Sequence, residues 1–326
     1  MKRIGTAEMV PGKKTKGYIQ VGTDTDGSPF NIPIIVATGK KEGPVCWAHG
    51  CIHGEEYGGA ASIIRLYQGL DVDQLEGVFV GVPVINLPSF KARSRISPLD
   101  GENLNRVFPG DPKGTYSHRL AFEVLHLMEA HADYVIDLHS GGIGAEVPFY
   151  MIVKEDGTEA SEKSLWLAKR MGSDVVWRSD DVMIAGGTIT EHTMNKGIPT
   201  VTVECGGGIV TEEHEHLFIQ SMLNAMKALE MIPGEAPVQE KYTIINRAEF
   251  IFTGNGGLFI PACQVGDIVN EGDLIGSVMN LYGDVIEELR CSKDNAYIAA
   301  IGQRYWPTQP GQLIAEVIPV VAGGSK

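Results

Sequence analysis

Nothing in the 326 residues reads as a membrane span, because no run of about 18 apolar side chains occurs anywhere. The N-terminal MKRIGTAEMV carries two basic residues without an apolar stretch behind them, so it does not read as a secretion signal. Positive charge is also scarce. Lys and Arg number 27 against 41 Asp and Glu, and the formal net charge of −14 argues against nucleic acid or an anionic membrane as the main partner. The five cysteines (Cys46, Cys51, Cys205, Cys263, Cys291) are odd in number and include no CxxC pair. They exclude a disulfide framework and a zinc knuckle, and are expected as buried, reduced thiols of a cytoplasmic protein. What is present is enough apolar material for a core, 43% of residues, in one large domain or two ordinary ones.

The apolar pattern divides the chain. Residues 17–37 are rich in β-branched and aromatic side chains and read as β structure. A helix is expected from about Glu55–Glu56 through YGGAASIIRLYQGL, weakened by its early glycines. GVFVGVPVIN (77–86) reads as a strand buried on both faces. A polar stretch with four prolines then spans 87–116, and a loop that long is usually functional. SHRLAFEVLHLMEAHA has helical spacing at Leu120, Val124, Leu127, Met128 and His131, with Ser117 as its N-cap. DYVIDLHS and IPTVTVEC read as strands, and HEHLFIQSMLNAMKAL as a helix. The fold class is therefore α/β, a mixed sheet flanked by helices. Composition changes at 231–242, which reads as a linker between a domain over 1–235 and a β-rich one over 236–326. In the latter, residues 257–278 and 296–317 align without a gap at an offset of 39, so GDLIGSV meets GQLIAEV. Two copies of one short-strand unit suggest a small β-sandwich.

WAHGCIHGEE (47–56) holds the densest chemistry. Two histidines four apart would share a helix face, but a glycine follows each and VCWA reads as a strand. His53 and Glu56 fit better as a metal pair, joined where a strand ends and a helix begins. His49 is expected as a structural histidine at the strand end, and Glu55 as a carboxylate at the helix start. Zinc held by a histidine and a carboxylate takes one more nitrogen and keeps an open position. His139 offers it, directly after an apolar run, at the sheet edge where α/β sites form. Asp137 either orients a ligand or caps a nearby loop, with the second favoured. His118, His126, His214 and His216 read as surface. Asn105 and Arg106 make a fork for a carboxylate, and a further arginine, Arg93 or Arg95, could stabilise an oxyanion. Glu204, where a strand leaves the sheet before CGGG, could serve as general base and acid.

HGEE (53–56), ENLNRVFPG (102–110), DLHS (137–140) and VTVECG (201–206) together resemble the succinylglutamate desuccinylase/aspartoacylase family, a branch of the zinc carboxypeptidase superfamily. The motifs keep the family's order across residues 20–230. The resemblance implies one Zn2+ per chain held by His53, Glu56 and His139. It implies Glu204 as general base and acid, Asn105 and Arg106 as the carboxylate clamp, and Arg95 beside the scissile carbonyl. The C-terminal segment is similar to a biotinyl/lipoyl-type sandwich. Two departures stand out. No arginine lies between Arg178 and Glu204, where members with acidic substrates carry one, and VMNLYG has no lysine where a swinging cofactor would attach.

The expected function is that of a zinc-dependent amidohydrolase that deacylates a small N-acyl amino acid. An N-acetylated diamino acid would suit both the missing arginine and the negative charge. The alternatives are a carboxypeptidase and a non-catalytic metal-dependent binding protein. A homo-oligomer is compatible with the sequence.

Overall fold

Buried apolar strands separated by amphipathic helices can hide both sheet faces only by placing helices on each side, and the chain does so. The computed structural model describes residues 2–179, 186–238, 243–245 and 247–321, so part of the expected linker, 239–242, lies outside the described residues. A short hairpin, β1 (Arg3–Ile4) and β2 (Ala7–Glu8), precedes a longer one, β3 (Lys13–Thr23) and β4 (Pro29–Thr38). Then follow β5 (Lys41–Gly50), α1 (Tyr57–Gly69), β6 (Glu76–Val82), α2 (Leu87–Ala92), α3 (Tyr116–His131), β7 (Tyr134–His139) and β8 (Ala145–Lys154). Next come α4 (Glu159–Ala168), β9 (Val175–Ser179), α5 (Ile189–Asn195), β10 (Thr200–Gly207) and α6 (Glu212–Ala228).

The strands run in the order β3-β4-β6-β5-β7-β10-β8-β9, parallel from β6 to β10 and antiparallel at β3–β4, β4–β6 and β10–β8. One core packs under α1 and α6, with Cys46, Ala48, Ile136, Leu138, Val201, Val203, Phe218 and Met222. The other packs under α3, with Trp47, Val80, Val135, Leu120 and Val124. Trp47 and Phe79 are fully buried, each contributing about 1.5–3 kcal/mol relative to an exposed side chain.

Two sequence expectations change. The 87–116 stretch is not all loop: Asn86 caps α2 by accepting from the Ser89 backbone N–H, and a 3-10 turn covers Leu104–Arg106. Ser117 is not the N-cap of α3. Thr115 holds that position without a side-chain bond to the helix N–H groups, and Asp100 from the loop accepts from Ser117 N at 2.8 Å and Ser117 Oγ at 2.9 Å.

The C-terminal strands are β11 (Thr243–Ile245), β12 (Glu249–Phe252), β13 (Gly257–Pro261), β14 (Ile268–Val269), β15 (Leu274–Met279), β16 (Val285–Arg290), β17 (Ala296–Gly302), β18 (Pro307–Thr308) and β19 (Leu313–Val321). The 39-residue offset superposes β13-β14-β15 on β17-β18-β19, and the left-handed positions coincide too: Gly266 with Tyr305, and Gly272 with Gly311. The copies pair crosswise, β14 with β17 and β18 with β13, around a shared core that includes Phe259, Ile275, Val278, Ile298, Ile314 and Val317. Hydrogen bonding also continues into the first sheet. β11 pairs with β9, β19 with β11, and β17 with both β19 and β8. Because β8 pairs with β9, these five strands close a ring around Tyr150, Trp177, Ile245, Tyr297 and Ile318.

Candidate active site and family

Alternation along parallel strands gathers the polar residues at one end of one sheet face. Ile136 and Leu138 of β7 enter the α1–α6 core, so Asp137 and His139 face the other way; Val203 and Cys205 of β10 do the same for Glu204. Register then aligns them. His49 of β5 stands opposite Asp137, and Glu204 opposite both His139 and Tyr150 of β8. His53 and Glu56 come from the turn between β5 and α1. That turn runs so close to α2 that a Cβ on Gly54 would stand 1.9 Å from the Ser89 carbonyl carbon, which is why glycine follows His53.

His53, Glu56 and His139 are buried and converge, each offering one ligand atom, all within 4.8 Å of one another. His53 Nδ1 lies 2.7 Å from Glu56 Oε1, and His139 Nδ1 lies 2.9 Å from Glu56 Oε2. The other ring nitrogens are held from behind, His139 Nε2 at 3.0 Å from Asp137 Oδ2 and His53 Nε2 at 3.2 Å from Asn103 Oδ1. Such outer contacts fix which nitrogen faces a metal. Two nitrogens and a carboxylate, buried and oriented in this way, fit the donor set of a catalytic zinc site.

The structure thus corrects the preferred reading of Asp137. It caps no loop; its oxygens are shared between His139 and His49, whose Nε2 lies 3.0 Å from Asp137 Oδ1. His49 is correspondingly more than a strand-end residue. Burial works against a charged Glu56 or Asp137, yet the flanking imidazoles outweigh it and hold both carboxyls well below the ordinary range. Burial also opposes a charged His139, but Asp137 and Glu56 on either side hold its pKa well above the usual value.

Glu204 faces the same cavity, of about 580 Å³, with Arg95, Asn105, Arg106, Tyr150 and Glu316. Its Oε2 is buried and, among the described residues, has no hydrogen-bond partner. Burial, joined by the charges of Glu56, Glu316 and Asp137, pushes its carboxyl up to about 8 against the pull of His139. Arg95 Nη1 lies 3.3 Å from Glu56 Oε1, while Arg93 is the left-handed C-cap of α2. Asn105 Oδ1 already accepts from Ile189 N at 2.9 Å, so Nδ2 is the group left for a ligand. Burial, then the nearby Arg95 charge, lowers the pKa of Arg106. His214 belongs to the capping box of α6 rather than to the site. Asn103, Tyr150 and Glu316 were not singled out from the sequence. Asn103 lies inside the ENLNRVFPG motif, but no local signal marks the other two.

Residues 43–229, more than half of the chain, match the succinylglutamate desuccinylase/aspartoacylase catalytic domain. The chain belongs to that family. Among its relatives, an N-alpha-acetyl-L-2,4-diaminobutyric acid deacetylase of Halomonas elongata is 28% identical over 316 residues, 94% of this chain and 91% of that protein. The product-bound ectoine utilization protein EutE (DoeB) of Ruegeria pomeroyi has the same fold, with a TM-score of 0.88 at 23% identity over 98% of this chain and all of that one. A succinylglutamate desuccinylase/aspartoacylase of Rhodobacter sphaeroides gives a TM-score of 0.85 at 24% identity, covering 97% of each chain. The family is one of deacylases, and the mixed α/β sheet flanked by helices is its fold.

Proposed function

We propose that the protein is a zinc-dependent amidohydrolase that removes the acyl group from a small N-acyl amino acid. The observation that carries this reading is the convergence of His53, Glu56 and His139 beside the unpartnered Glu204 oxygen, in a cavity that also presents two arginines. The deacetylase activity named for the Halomonas relative supports it.

His53, Glu56 and His139 would hold the metal, which when bound supplies a Lewis acid and makes water a nucleophile at neutral pH. The residues of the chain do the rest. Arg106, helped by Asn105 Nδ2, binds the substrate carboxylate and sets the amide in the cavity. Arg95, beside Glu56, faces the carbonyl oxygen and stabilises the negative charge that grows there. Glu204 takes a proton from the attacking water at Oε2. As the C–N bond breaks, it passes that proton to the departing nitrogen. A buried carboxyl with a raised pKa suits this exchange, since it must hold and release a proton near neutral pH.

Residues 236–326 are read as a second domain of biotinyl/lipoyl type, supported by the two-copy repeat and its crosswise pairing. The β15–β16 tip carries exposed Leu281 and Tyr282 instead of a lysine, so no swinging arm is assigned to it.

The test is a hydrolysis screen over N-acyl amino acids with the zinc-loaded protein. Glu204→Gln is expected to lower kcat by at least about 100-fold, the usual scale for a general base, while zinc content stays unchanged. Wild-type turnover in that variant would sink the assigned role.

A further inference from the structure

Strict alternation along β8 would send Val147 and Tyr150, three residues apart, to opposite faces of the sheet. Both nevertheless line the cavity, with Ala145 before them and Ile152 after. The cause is a β-bulge. Between the pairs Glu204–Tyr150 and Gly206–Val147, β10 advances two residues while β8 advances three. Past the bulge, Phe149, Met151 and Val153 turn to the α1–α6 core, and Tyr150 turns to the cavity. Bulges beside a site commonly re-aim one side chain, and the one re-aimed here is a phenol.

Tyr150 is 2% exposed, and among the described residues its Oη makes no hydrogen bond. A buried tyrosine hydroxyl ordinarily finds a partner. The ring has a packing role, tilted against Trp177 with centroids 6.4 Å apart. Phenylalanine would supply that packing without withdrawing a hydroxyl from water, so the oxygen needs another explanation. Its surroundings are acidic. Burial, then the charges of Glu204 and Glu316, hold its pKa well above the ordinary range, so the phenol stays protonated. An oxygen set among carboxylates suits a ligand group that brings a hydrogen.

Register places that oxygen relative to the other groups. His139, Glu204 and Tyr150 stand opposite one another on β7, β10 and β8, with about 4.8 Å between neighbouring strands. Glu204 therefore has the metal position on one side and the phenol on the other. We propose that Tyr150 is a further catalytic residue, whose hydroxyl oxygen accepts a hydrogen bond from the N–H of the scissile amide and keeps that nitrogen turned toward Glu204. This rests on the deacylase reading and deepens it. Water and the carbonyl carbon meet on the metal side of Glu204, and the nitrogen it protonates lies on the side of Tyr150. The hydrogen bond strengthens as the C–N bond breaks, because the nitrogen gains a proton and positive charge. Tyr150 keeps its own proton throughout; the one delivered to the nitrogen is the one Glu204 took from water.

The experiment compares N-acetylalanine with O-acetyllactate, the matching ester, which has no N–H to give. On the zinc-loaded full chain, Tyr150→Phe is expected to lower kcat/KM for the amide by about ten-fold, mostly through kcat. The ester should stay within about two-fold of wild type. Zinc content and Tm should not move, since the ring against Trp177 is kept. Calorimetric binding to the zinc-loaded Glu204→Gln protein gives a readout without turnover: the amide should bind more tightly than the ester, and Tyr150→Phe in that background should erase the difference. Amide and ester slowed alike, or neither slowed, would overturn the contact and leave the hydroxyl a role only in tuning Glu204 or filling the wall. Where N-acetylalanine is not turned over, binding decides, and equal binding of the two compounds overturns the contact. Failure of the deacylase reading is a separate result, the absence of hydrolysis of any N-acyl amino acid, and a Tyr150-dependent preference for the amide would survive it.

Discussion

Asp137 shows how much one carboxylate can organise. Its two oxygens face two imidazoles, one on its own strand and one on β5, so it fixes the ring of His139 with Nδ1 turned toward Glu56. Asp137→Asn keeps the shape but replaces one acceptor with a donor. It is expected to weaken zinc binding by about 10–100-fold, measured by competition with a chelator, with a smaller effect on melting. Unchanged zinc affinity would mean that His139 needs no support from behind. The sequence DLH already places Asp137 and His139 on one strand face, and that much could be read directly. The partner His49 could not, because it meets Asp137 only through the parallel register of β5 and β7. Glu316 was hidden for a similar reason: a single acid in an apolar strand says nothing until the strand is seen to wall a cavity.

At the scale of elements, the loop between α2 and α3 is held by Asp100. Burial opposes its ionisation, but hydrogen bonds from Ser117, Thr115 and Ser97 outweigh burial and lower its pKa. A lowered carboxylate stabilises the fold above its unfolded value, near pH 4, and that contribution is lost as the pH falls through the lower folded value. Asp100→Ala is expected to cost about 1 kcal/mol at pH 7, the usual scale for a lost helix cap. The difference in Tm between variant and wild type should shrink in acid below pH 4; a constant difference down to pH 2 would contradict the assignment. Helical spacing located α3 to within a residue, since its apolar stripe is strong. Its cap was misread as Ser117 because the true partner lies 17 residues earlier, in a loop without periodicity. The 39-residue repeat was visible for the opposite reason: both copies bury the same strand faces. Their crosswise pairing was not, because either copy could in principle have paired within itself.

At the scale of the molecule, the ring β8-β9-β11-β19-β17 couples the C-terminal strands to the sheet that bears the site. Tyr150 and Trp177 pack against Tyr297 and Ile318 across that ring, so removing the later strands would expose both aromatics and leave β9 as a bare edge. A chain ending at residue 235 is expected to aggregate or to lack a cooperative thermal transition, as read by light scattering and calorimetry. A soluble, cooperatively melting fragment would show that the ring is dispensable. The same closure fixes an order of events during synthesis. The ligands and Glu204 leave the ribosome long before β19, and the cavity lacks its far wall until that last strand docks. A growing chain therefore acquires the groups assigned to bond breaking first, and the strand that walls in their cavity only once Leu313–Val321 has also emerged.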